Sequence, residues 1–287
     1  MPAEPLDLAA ALEVARDAAA AGAAVLRPAW HETGRGKARA KAPGDLVTEA
    51  DRKAEARIVE RIQEAYPAHA IVAEESGLHG DAEAERYRWI VDPLDGTANF
   101  VHRIPAWAVS IALVEDGSPI LGVVVDPLRD EWFTAVAGGG AWRDGGDPRD
   151  ARAIEVSRTT NLDEAILATG FPFRRPHEID RYMGAFDDLF RRVSDMRRIG
   201  SAAIDLAYVA AGRVEGFWEI GLKPWDIAAG ELIVLEAGGR VSDWRGGMEH
   251  RTTGWIAAGN PETHDLLLEV LSAYAAEPSL APIAGKS

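Results

Sequence analysis

The chain has 287 residues, of which 31 are lysine or arginine and 46 are aspartate or glutamate, so its formal net charge is −15. That length fits one large domain or two that pack intimately. A negative field of this size repels nucleic acid, so direct nucleic-acid binding is not expected. Because the chain contains no cysteine, disulfides, thiol nucleophiles and cysteine-ligated metal centres are excluded.

The amino-terminal residues do not have the pattern of a signal peptide or of a membrane span. They lack a basic start, and charged residues interrupt the apolar ones. The longest apolar run, over 18–26, is shorter than the roughly 20 residues that a membrane helix needs. We therefore expect a cytoplasmic protein with no membrane contact, which the absence of cysteine also suits.

The first half predicts helices and an antiparallel sheet. An alanine-rich helix over 6–26 precedes a loop or loose hairpin over 31–44, and a second helix runs over 48–66. Short apolar runs bounded by turn residues then predict strands at 70–73, 88–92, 107–115, 120–126 and 131–136.

A glycine-rich stretch over 137–150 predicts the boundary between an amino-terminal half, 1–148, and a carboxyl-terminal half, 149–287. Beyond it strands and helices alternate. Strands are predicted at 165–169, 196–199, 214–219 and 255–258, and helices at 178–193, 201–211, 224–237 and 262–275. The pattern predicts an α+β half with an antiparallel sheet, then an α/β half with a mixed sheet, stacked in layers.

The most informative segment runs from Trp89 to Phe100, where an apolar strand leads into two acids. Pro93 keeps Asp92 extended, and Gly96 permits a sharp turn into a helix whose free N–H groups can bind an anion. Carboxylates as close as Asp92 and Asp95 repel each other unless a cation neutralises them. An all-oxygen ligand set suits Mg²⁺. An ordinary Asp-Gly turn with an aspartate cap is the structural alternative.

Three further acids lie at strand ends or helix starts, and each has a structural alternative. Glu74 follows the strand at 70–73 and could be a solvated loop acid. Asp51 could complete a capping box with Thr48, and Asp226 could complement the dipole of its helix. Together the acids predict hard ligands from several elements that converge on a multi-metal phosphate site. A glycosidase with two carboxylates accounts for neither the Gly-Thr helix start nor the additional acids.

The acidic segments resemble the inositol monophosphatase family of Mg²⁺-dependent, Li⁺-sensitive sugar phosphatases. The matching segments run in family order over almost the whole chain, at 45–51, 73–76, 89–100, 200–203 and 224–231. Those at 170–173, 201–212 and 219–226 look most like bacterial inositol-1-monophosphatases. The resemblance implies a layered αβαβα sandwich, a phosphoric monoester hydrolase and a homodimer.

The resemblance also implies metal ligands, which would bind two Mg²⁺ ions and a third, weaker one that again uses Glu74. The implied ligands are Glu74, Asp92, the Leu94 carbonyl, Asp95 and Asp226.

The same resemblance implies roles around the phosphate and the leaving group. The backbone of Gly96 and Thr97 would hold the phosphate, and Thr97 with Asp51 would orient and deprotonate the attacking water. Lys41 resembles a loop lysine near the metals. The positions that match contacts to the inositol hydroxyls are Asp95, Ala203 and Glu219.

The residues at 98–102, which follow the Asp-Gly-Thr sequence, look like the inositol branch of the family. This implies that the substrate is a small phosphate monoester, with inositol 1-phosphate the first choice. Relatives act on fructose 1,6-bisphosphate, histidinol phosphate and 3′-phosphoadenosine 5′-phosphate, and these substrates stay open. Some bacterial members associate with the transcription machinery, so a role through a protein partner is a further alternative.

Overall fold

The structure is a computed structural model that describes residues 6–32, 39–42, 45–80 and 86–275. Its helices are α1 (Leu8–Glu32), α2 (Glu49–Ala65), α3 (Thr97–His102), α4 (Ile179–Phe190), α5 (Ala202–Ala210), α6 (Pro224–Glu236), α7 (His250–Thr253) and α8 (Pro261–Leu271). Within these described ranges, no helix is both long enough and apolar enough to cross a membrane.

The strands are β1 (Arg39–Ala42), β2 (Asp45–Val47), β3 (Ala70–Ala73), β4 (Gly77–His79), β5 (Tyr87–Asp95), β6 (Ala108–Glu115), β7 (Ser118–Asp126), β8 (Glu131–Val136), β9 (Ala141–Asp144), β10 (Arg152–Ile154), β11 (Ile166–Thr169), β12 (Asp195–Arg197), β13 (Gly216–Ile220), β14 (Arg240–Ser242) and β15 (Trp255–Gly259). Strands β3 to β10 form an eight-stranded sheet in the order β10-β9-β8-β7-β6-β5-β3-β4. Strands β11 to β15 form a five-stranded sheet in the order β12-β11-β13-β15-β14.

Side chains that alternate along each strand divide the molecule into layers. On β5, Trp89 and Val91 face a core shared with α1 and α2, while Ile90 faces a second core. That second core contains residues of α5 and α6 and the inner face of the smaller sheet. The outer face of the smaller sheet, which includes Trp218, packs with α4 and α8 in a third core. The predicted αβαβα sandwich is confirmed.

Most predicted elements are present. The differences are short or sheet-edge strands, the short helix α7, which was not predicted, and α1, which continues to Glu32 where its end was predicted at 26. The larger sheet is antiparallel except for the parallel pair β3–β5, and the smaller sheet is mixed. The segment predicted as a loop or loose hairpin over 31–44 contains β1, which pairs antiparallel with β2, and its residues 33–38 and 43–44 lie outside the described ranges. Strands β4, β9, β10 and β14 were not predicted. Because β10 pairs with β9, the larger sheet extends past residue 148.

Helix α6, which carries Asp226, packs directly on the larger sheet at a glycine of β7. A Cβ atom on Gly122 would lie 2.7 Å from the backbone oxygen of Ala229 on α6. Backbone atoms cannot move aside as a flexible side chain can, so the contact requires glycine.

We predict that Gly122→Ala lowers the free energy of unfolding by about 1–3 kcal/mol, because the added methyl group overpacks this contact. Urea unfolding of both proteins measures the change. The matched control is Gly145→Ala, where the nearest atom would be 3.8 Å away, and it should be near neutral. Equal effects of the two substitutions would contradict the close approach of α6 and β7.

Candidate active site

A bulge in β5 brings two of the predicted acids to the same side of the sheet. Asp92 pairs with Ser110 and Asp95 pairs with Ala108, so three steps along β5 match two steps along β6. In a regular strand, residues three apart point to opposite faces. The extra residue of a bulge removes that mismatch, and Pro93, which cannot donate to the ladder, lies inside it.

A third acid reaches the same point from α6. Ligand atoms of Asp92, Asp95 and Asp226 all lie within 4.8 Å of one another. Asp226 is in the first turn of α6, and its Oδ2 accepts the backbone N–H of Lys223 at 2.7 Å. The predicted structural role at the helix start and a place in the acid cluster are therefore compatible. Glu74 lines the same cavity.

Helix α5 fixes the carboxylate of Asp95 from the second half of the chain. The Oδ2 atom of Asp95 accepts hydrogen bonds from the Ser201 hydroxyl at 2.6 Å and from the Ala203 N–H at 2.8 Å. Ser201 is the N-cap of α5. The Ala203 side chain is fully buried, and the α5 alanine that lines the cavity is Ala202. Ala203 therefore contacts Asp95 through its backbone N–H, and its predicted contact with substrate stays a prediction.

The turn between β5 and α3 requires glycine at position 96. Gly96 has a φ of 90°, in the left-handed region. A Cβ atom there would lie 3.0 Å from the backbone oxygen of Ala106 and 3.2 Å from that of Gly200. The tight turn puts the start of α3, Thr97, beside the acid cluster on the cavity wall.

Thr97 and Asp51 are in contact, although they are far apart in sequence. The Thr97 hydroxyl lies 3.3 Å from Asp51 Oδ1 and 3.0 Å from the Leu94 carbonyl oxygen, and it can donate to either. The other oxygen of Asp51 accepts both the backbone N–H and the hydroxyl of Thr48, which completes a capping box at α2. The capping alternative and the contact with Thr97 are thus both present, one on each oxygen.

Glu219, near the end of β13, lines the same cavity. Its carboxyl group lies directly against Gly170, where a Cβ atom would be only 2.1 Å away. Burial raises the pKa of Glu219 to about 8, and the positive charge of Arg198 opposes this effect. Gly170 is therefore part of the site because it leaves room for this carboxyl group.

Several cavity residues were not predicted from the sequence. Phe171 and Phe173 line its mouth, and Arg198 lies over the Phe171 ring with its guanidinium carbon 5.7 Å from the ring centroid. Arg174 lies 3.9 Å from Asp226 Oδ2. The Phe residues belong to the matched segment at 170–173, so the resemblance marked this region. Nothing in the spacing of the two arginines indicated that they share a cavity.

Asn99 joins the two halves of the chain beside the cavity. Its side-chain amide donates to the carbonyl oxygens of Ala106 at 2.7 Å and of Ile199 at 2.9 Å, with Gly200 O at 3.3 Å. Ile199 and Gly200 lead directly into Ser201. This amide therefore links α3 to the helix cap that contacts Asp95.

The burial and crowding of these acids raise their pKa values. Burial raises the pKa of Asp92 well above its usual range, and the charges of Glu74, Asp95 and Asp226 raise it further. Burial and the charge of Asp226 raise the pKa of Asp95 to about 7, despite its two hydrogen bonds. Burial raises the pKa of Asp51 as well, and its hydrogen bonds to Thr48 oppose the shift.

The donor set fits a hard divalent cation. Its members are carboxylates, a chemistry that Mg²⁺ prefers. Crowded, buried carboxylates are costly when they are ionised, and a cation among them removes that cost. The residues that could contact such a cation are Glu74, Asp92, Asp95 and Asp226, with the Leu94 carbonyl beside them.

The structure brings together most of the residues that the sequence analysis selected. Asp51 lies behind Thr97 and is almost fully buried. Lys41 is in β1, and its side chain lies outside the described part of the structure. The selected residues that line one cavity are Glu74, Asp92, Leu94, Asp95, Gly96, Thr97, Glu219 and Asp226.

Comparison with known proteins agrees with this arrangement. The model of the inositol monophosphatase family matches residues 7–276. The chain belongs to this family. The family assignment supports a phosphatase that acts on phosphate monoesters, as the sequence resemblance implied.

Two curated relatives have different names. The Nus factor SuhB of Salmonella typhimurium is 49% identical over 232 residues, which is 81% of this chain and 84% of the relative. The inositol-1-monophosphatase of Synechocystis sp. is 44% identical over 269 residues, 94% of this chain and 91% of the relative. Among solved structures, the extragenic suppressor protein suhB of Bartonella henselae has a TM-score of 0.85 and 41% identity, covering 91% of this chain and 98% of that one.

We predict that Mg²⁺ stabilises this family member strongly near pH 8 and hardly at all near pH 5. The raised pKa of Asp95, about 7 against 3.8 in the unfolded chain, gives stability that is present at low pH and is lost as pH rises through about 7. A cation binds only the ionised acids and replaces that lost stability. Melting temperatures with Mg²⁺ and with EDTA should differ by roughly 5 °C near pH 8.

The response to Mg²⁺ should disappear in Asp226→Asn, which lacks one charge of the cluster. Asp243→Asn is the control, because Asp243 is also largely buried but accepts hydrogen bonds in a turn at 243–249. It should melt at a lower temperature and keep the response. A Mg²⁺ effect that is the same near pH 5 and near pH 8 would contradict the shifted pKa values.

Proposed function

We propose that this protein hydrolyses inositol 1-phosphate to myo-inositol and phosphate, in a reaction that requires Mg²⁺. The observation that most supports this proposal is that three features of the site meet at one cavity. Crowded carboxylates, the start of α3 and the Thr97–Asp51 contact all meet there. Acids supply a place for cations, the helix start suits an anion, and the hydroxyl–carboxylate pair can accept a proton.

Bound Mg²⁺ would neutralise the phosphate charge and lower the pKa of water. The chain positions the reactants. The backbone of Gly96 and Thr97 would hold the phosphate, while the Thr97 hydroxyl would accept a proton from the attacking water and pass its own to Asp51. Because burial raises the pKa of Asp51, this carboxylate is a stronger proton acceptor than an exposed aspartate.

The leaving group would occupy the side of the cavity formed by the second half of the chain. We expect Glu219 and Ala203 of that half to contact it, together with Asp95 of the first half. Glu219 and Asp95 line the cavity, and carboxyl groups can form hydrogen bonds with the hydroxyls of a polyol. Asp95 would thus contact both the cation and the polyol, which fixes their relative positions. The Ser201 and Ala203 hydrogen bonds hold that carboxylate in place.

We predict that Thr97→Ala and Asp51→Asn each reduce turnover strongly, and that the double variant is little worse than the poorer single one. Residues of one proton relay have non-additive effects because the loss of either interrupts the same transfer. Steady-state kcat for the three variants measures this. Multiplicative losses would remove the relay from the mechanism.

Thr48→Ala provides the matched control for the capping role of Asp51. It removes the capping hydroxyl and leaves the Thr97–Asp51 contact in place. It should lower the free energy of unfolding by about 1 kcal/mol with turnover near that of the unsubstituted protein. A turnover loss in Thr48→Ala as large as that in Asp51→Asn would assign the Asp51 effect to the helix cap.

The substrate assignment is tested with a phosphate-release panel. The substrates are inositol 1-phosphate, fructose 1,6-bisphosphate, histidinol phosphate and 3′-phosphoadenosine 5′-phosphate, each with Mg²⁺, with EDTA and with added Li⁺. We predict the highest kcat/KM for inositol 1-phosphate, no turnover in EDTA and inhibition by Li⁺. A higher kcat/KM for another substrate would replace the inositol assignment, and full turnover in EDTA would remove the cation from the reaction.

A second candidate function is association with the transcription machinery, as the name of the Salmonella typhimurium relative suggests. Glu74→Ala separates the two roles, because Glu74 lines the cavity. A protein that has both roles would lose phosphatase activity in this variant and still bind a purified transcription elongation complex. Absence of binding by the unsubstituted protein would leave the phosphatase role alone.

A further inference from the structure

Glu55 is a buried carboxylate to which the proposed reaction gives no role. It lies in the second turn of α2 and is only 3% exposed. A carboxylate is seldom buried this far unless a partner compensates for the water that it loses. Its Oε2 atom accepts the backbone N–H of Glu75 at 2.7 Å, a distance typical of a charge-assisted hydrogen bond. Glu75 directly follows Glu74, one of the acids at the cavity.

Glu74 belongs to a turn, whereas the other three acids of the cluster lie in β5 and in the first turn of α6. It follows β3 and precedes a reversal of the chain into β4, where Gly77 pairs with Ala73. The ladder between β3 and β5 ends with the pair Ala73–Val91. The direction of the Glu74 side chain therefore depends on the contacts that the turn itself makes.

Two backbone hydrogen bonds fix the peptide groups on either side of the Glu74 Cα atom. The Glu74 N–H donates to the Val91 carbonyl oxygen of β5 at 3.1 Å, which fastens the preceding peptide group to the larger sheet. The Glu75 N–H donates to Glu55, which fastens the following peptide group to α2. Because a residue has only two soft backbone dihedrals between its peptide planes, the two bonds together set the direction of the Glu74 side chain.

We propose that Glu55 is a positioning residue for the cation site, which acts through Glu74 and does not itself contact the cation. The inference rests on the proposed function in one respect, since it takes Glu74 to be a cation ligand. Groups that orient the ligands of a metal are known to tune its affinity without touching it. Such a group usually holds the ligand's side chain, whereas Glu55 holds the peptide group that follows the ligand.

Helix α2 contacts the site at two points through the same face. Asp51 and Glu55 are four residues apart, which puts them on one side of the helix. Asp51 contacts the Thr97 hydroxyl, and Glu55 holds the turn that carries Glu74. The two contacts have separate consequences, because loss of Asp51 should lower kcat whereas loss of Glu55 should weaken Mg²⁺ binding.

Isothermal titration calorimetry of the full chain with Mg²⁺, in the absence of any substrate, tests the proposal directly. Glu55→Ala should raise the Mg²⁺ dissociation constant by about 10-fold or more, as the loss of a group that orients a metal ligand does. Glu55→Gln keeps the length of the side chain and an oxygen that accepts the Glu75 N–H. Its dissociation constant should stay near that of the unsubstituted protein.

Two further variants separate reach from charge. Glu55→Asp keeps the charge but is one methylene shorter, so it should weaken Mg²⁺ binding in the same direction as Glu55→Ala, and it serves if Glu55→Ala does not fold. Glu60→Ala removes the same charge from α2 at an exposed position, where Glu60 pairs with Arg57 at 2.8 Å. Its Mg²⁺ dissociation constant should be unchanged. An effect of Glu60→Ala equal to that of Glu55→Ala would assign the change to charge alone and overturn the proposal.

Hydrogen exchange and melting temperature distinguish a positioning role from a purely structural one. Amide hydrogens of the segment 73–79 should exchange faster in Glu55→Ala than in Glu55→Gln, because only the second variant keeps an acceptor for the Glu75 N–H. A lower melting temperature of Glu55→Ala with an unchanged Mg²⁺ dissociation constant would make Glu55 a structural residue and overturn the proposal.

Activity measurements keep this inference distinct from the proposed function. In Glu55→Ala the Mg²⁺ concentration for half-activation should rise, and saturating Mg²⁺ should restore most of kcat, whereas it should not restore kcat in Asp51→Asn. A reduced kcat with an unchanged Mg²⁺ requirement in Glu55→Ala would contradict the inference. An unsubstituted protein that binds Mg²⁺ but hydrolyses none of the four phosphates would count against the proposed function alone, and calorimetry would still decide the role of Glu55. An unsubstituted protein that does not bind Mg²⁺ would overturn both.

Discussion

Asp92, Asp95 and Asp226 are crowded together at a cavity that is lined by strands of both sheets and by the starts of α3, α5 and α6, and the rest of the site depends on that crowding. Ionised carboxylates at such distances repel one another, and burial removes the water that would screen them. Burial and this repulsion raise the pKa of Asp95 to about 7 and the pKa of Asp92 well above its usual range. A divalent cation would relieve the repulsion, so the same cost that destabilises the metal-free fold favours metal binding.

The fold assembles this cluster from segments that are far apart in sequence. The bulge in β5 aligns Asp92 with Asp95, and the close packing of α6 on β7 at Gly122 brings Asp226 toward them. Hydrogen bonds from the start of α5 fix Asp95. Asp51 and Asp226 each use one carboxylate oxygen to cap a helix, so local helix structure and site geometry are set by the same side chains.

The sequence predicted the parts of this arrangement that depend on local pattern. Long apolar runs gave the main strands, and the acids at strand ends and helix starts gave the members of the site. Short edge strands such as β4 and β14 have too few residues to show the alternation of apolar and polar residues that indicates a strand. The positions of Arg174 and Arg198 in the cavity depend on tertiary contacts. Likewise, only the orientation of α5 decides that Ala202 lines the cavity while the Ala203 N–H contacts Asp95. Alternatives that competed on sequence grounds, such as a helix cap against a proton acceptor at Asp51, proved compatible because a carboxylate has two oxygens.

Binding of divalent cations by the carboxylate cluster is the proposal on which the others rest. The most direct test is anomalous diffraction from crystals of the protein soaked in Mn²⁺, which replaces Mg²⁺ and scatters strongly. We expect anomalous peaks within bonding distance, about 2.1 Å, of carboxylate oxygens of Asp92, Asp95 and Asp226. Peaks only at surface acids, with these three carboxylates free of metal, would contradict it.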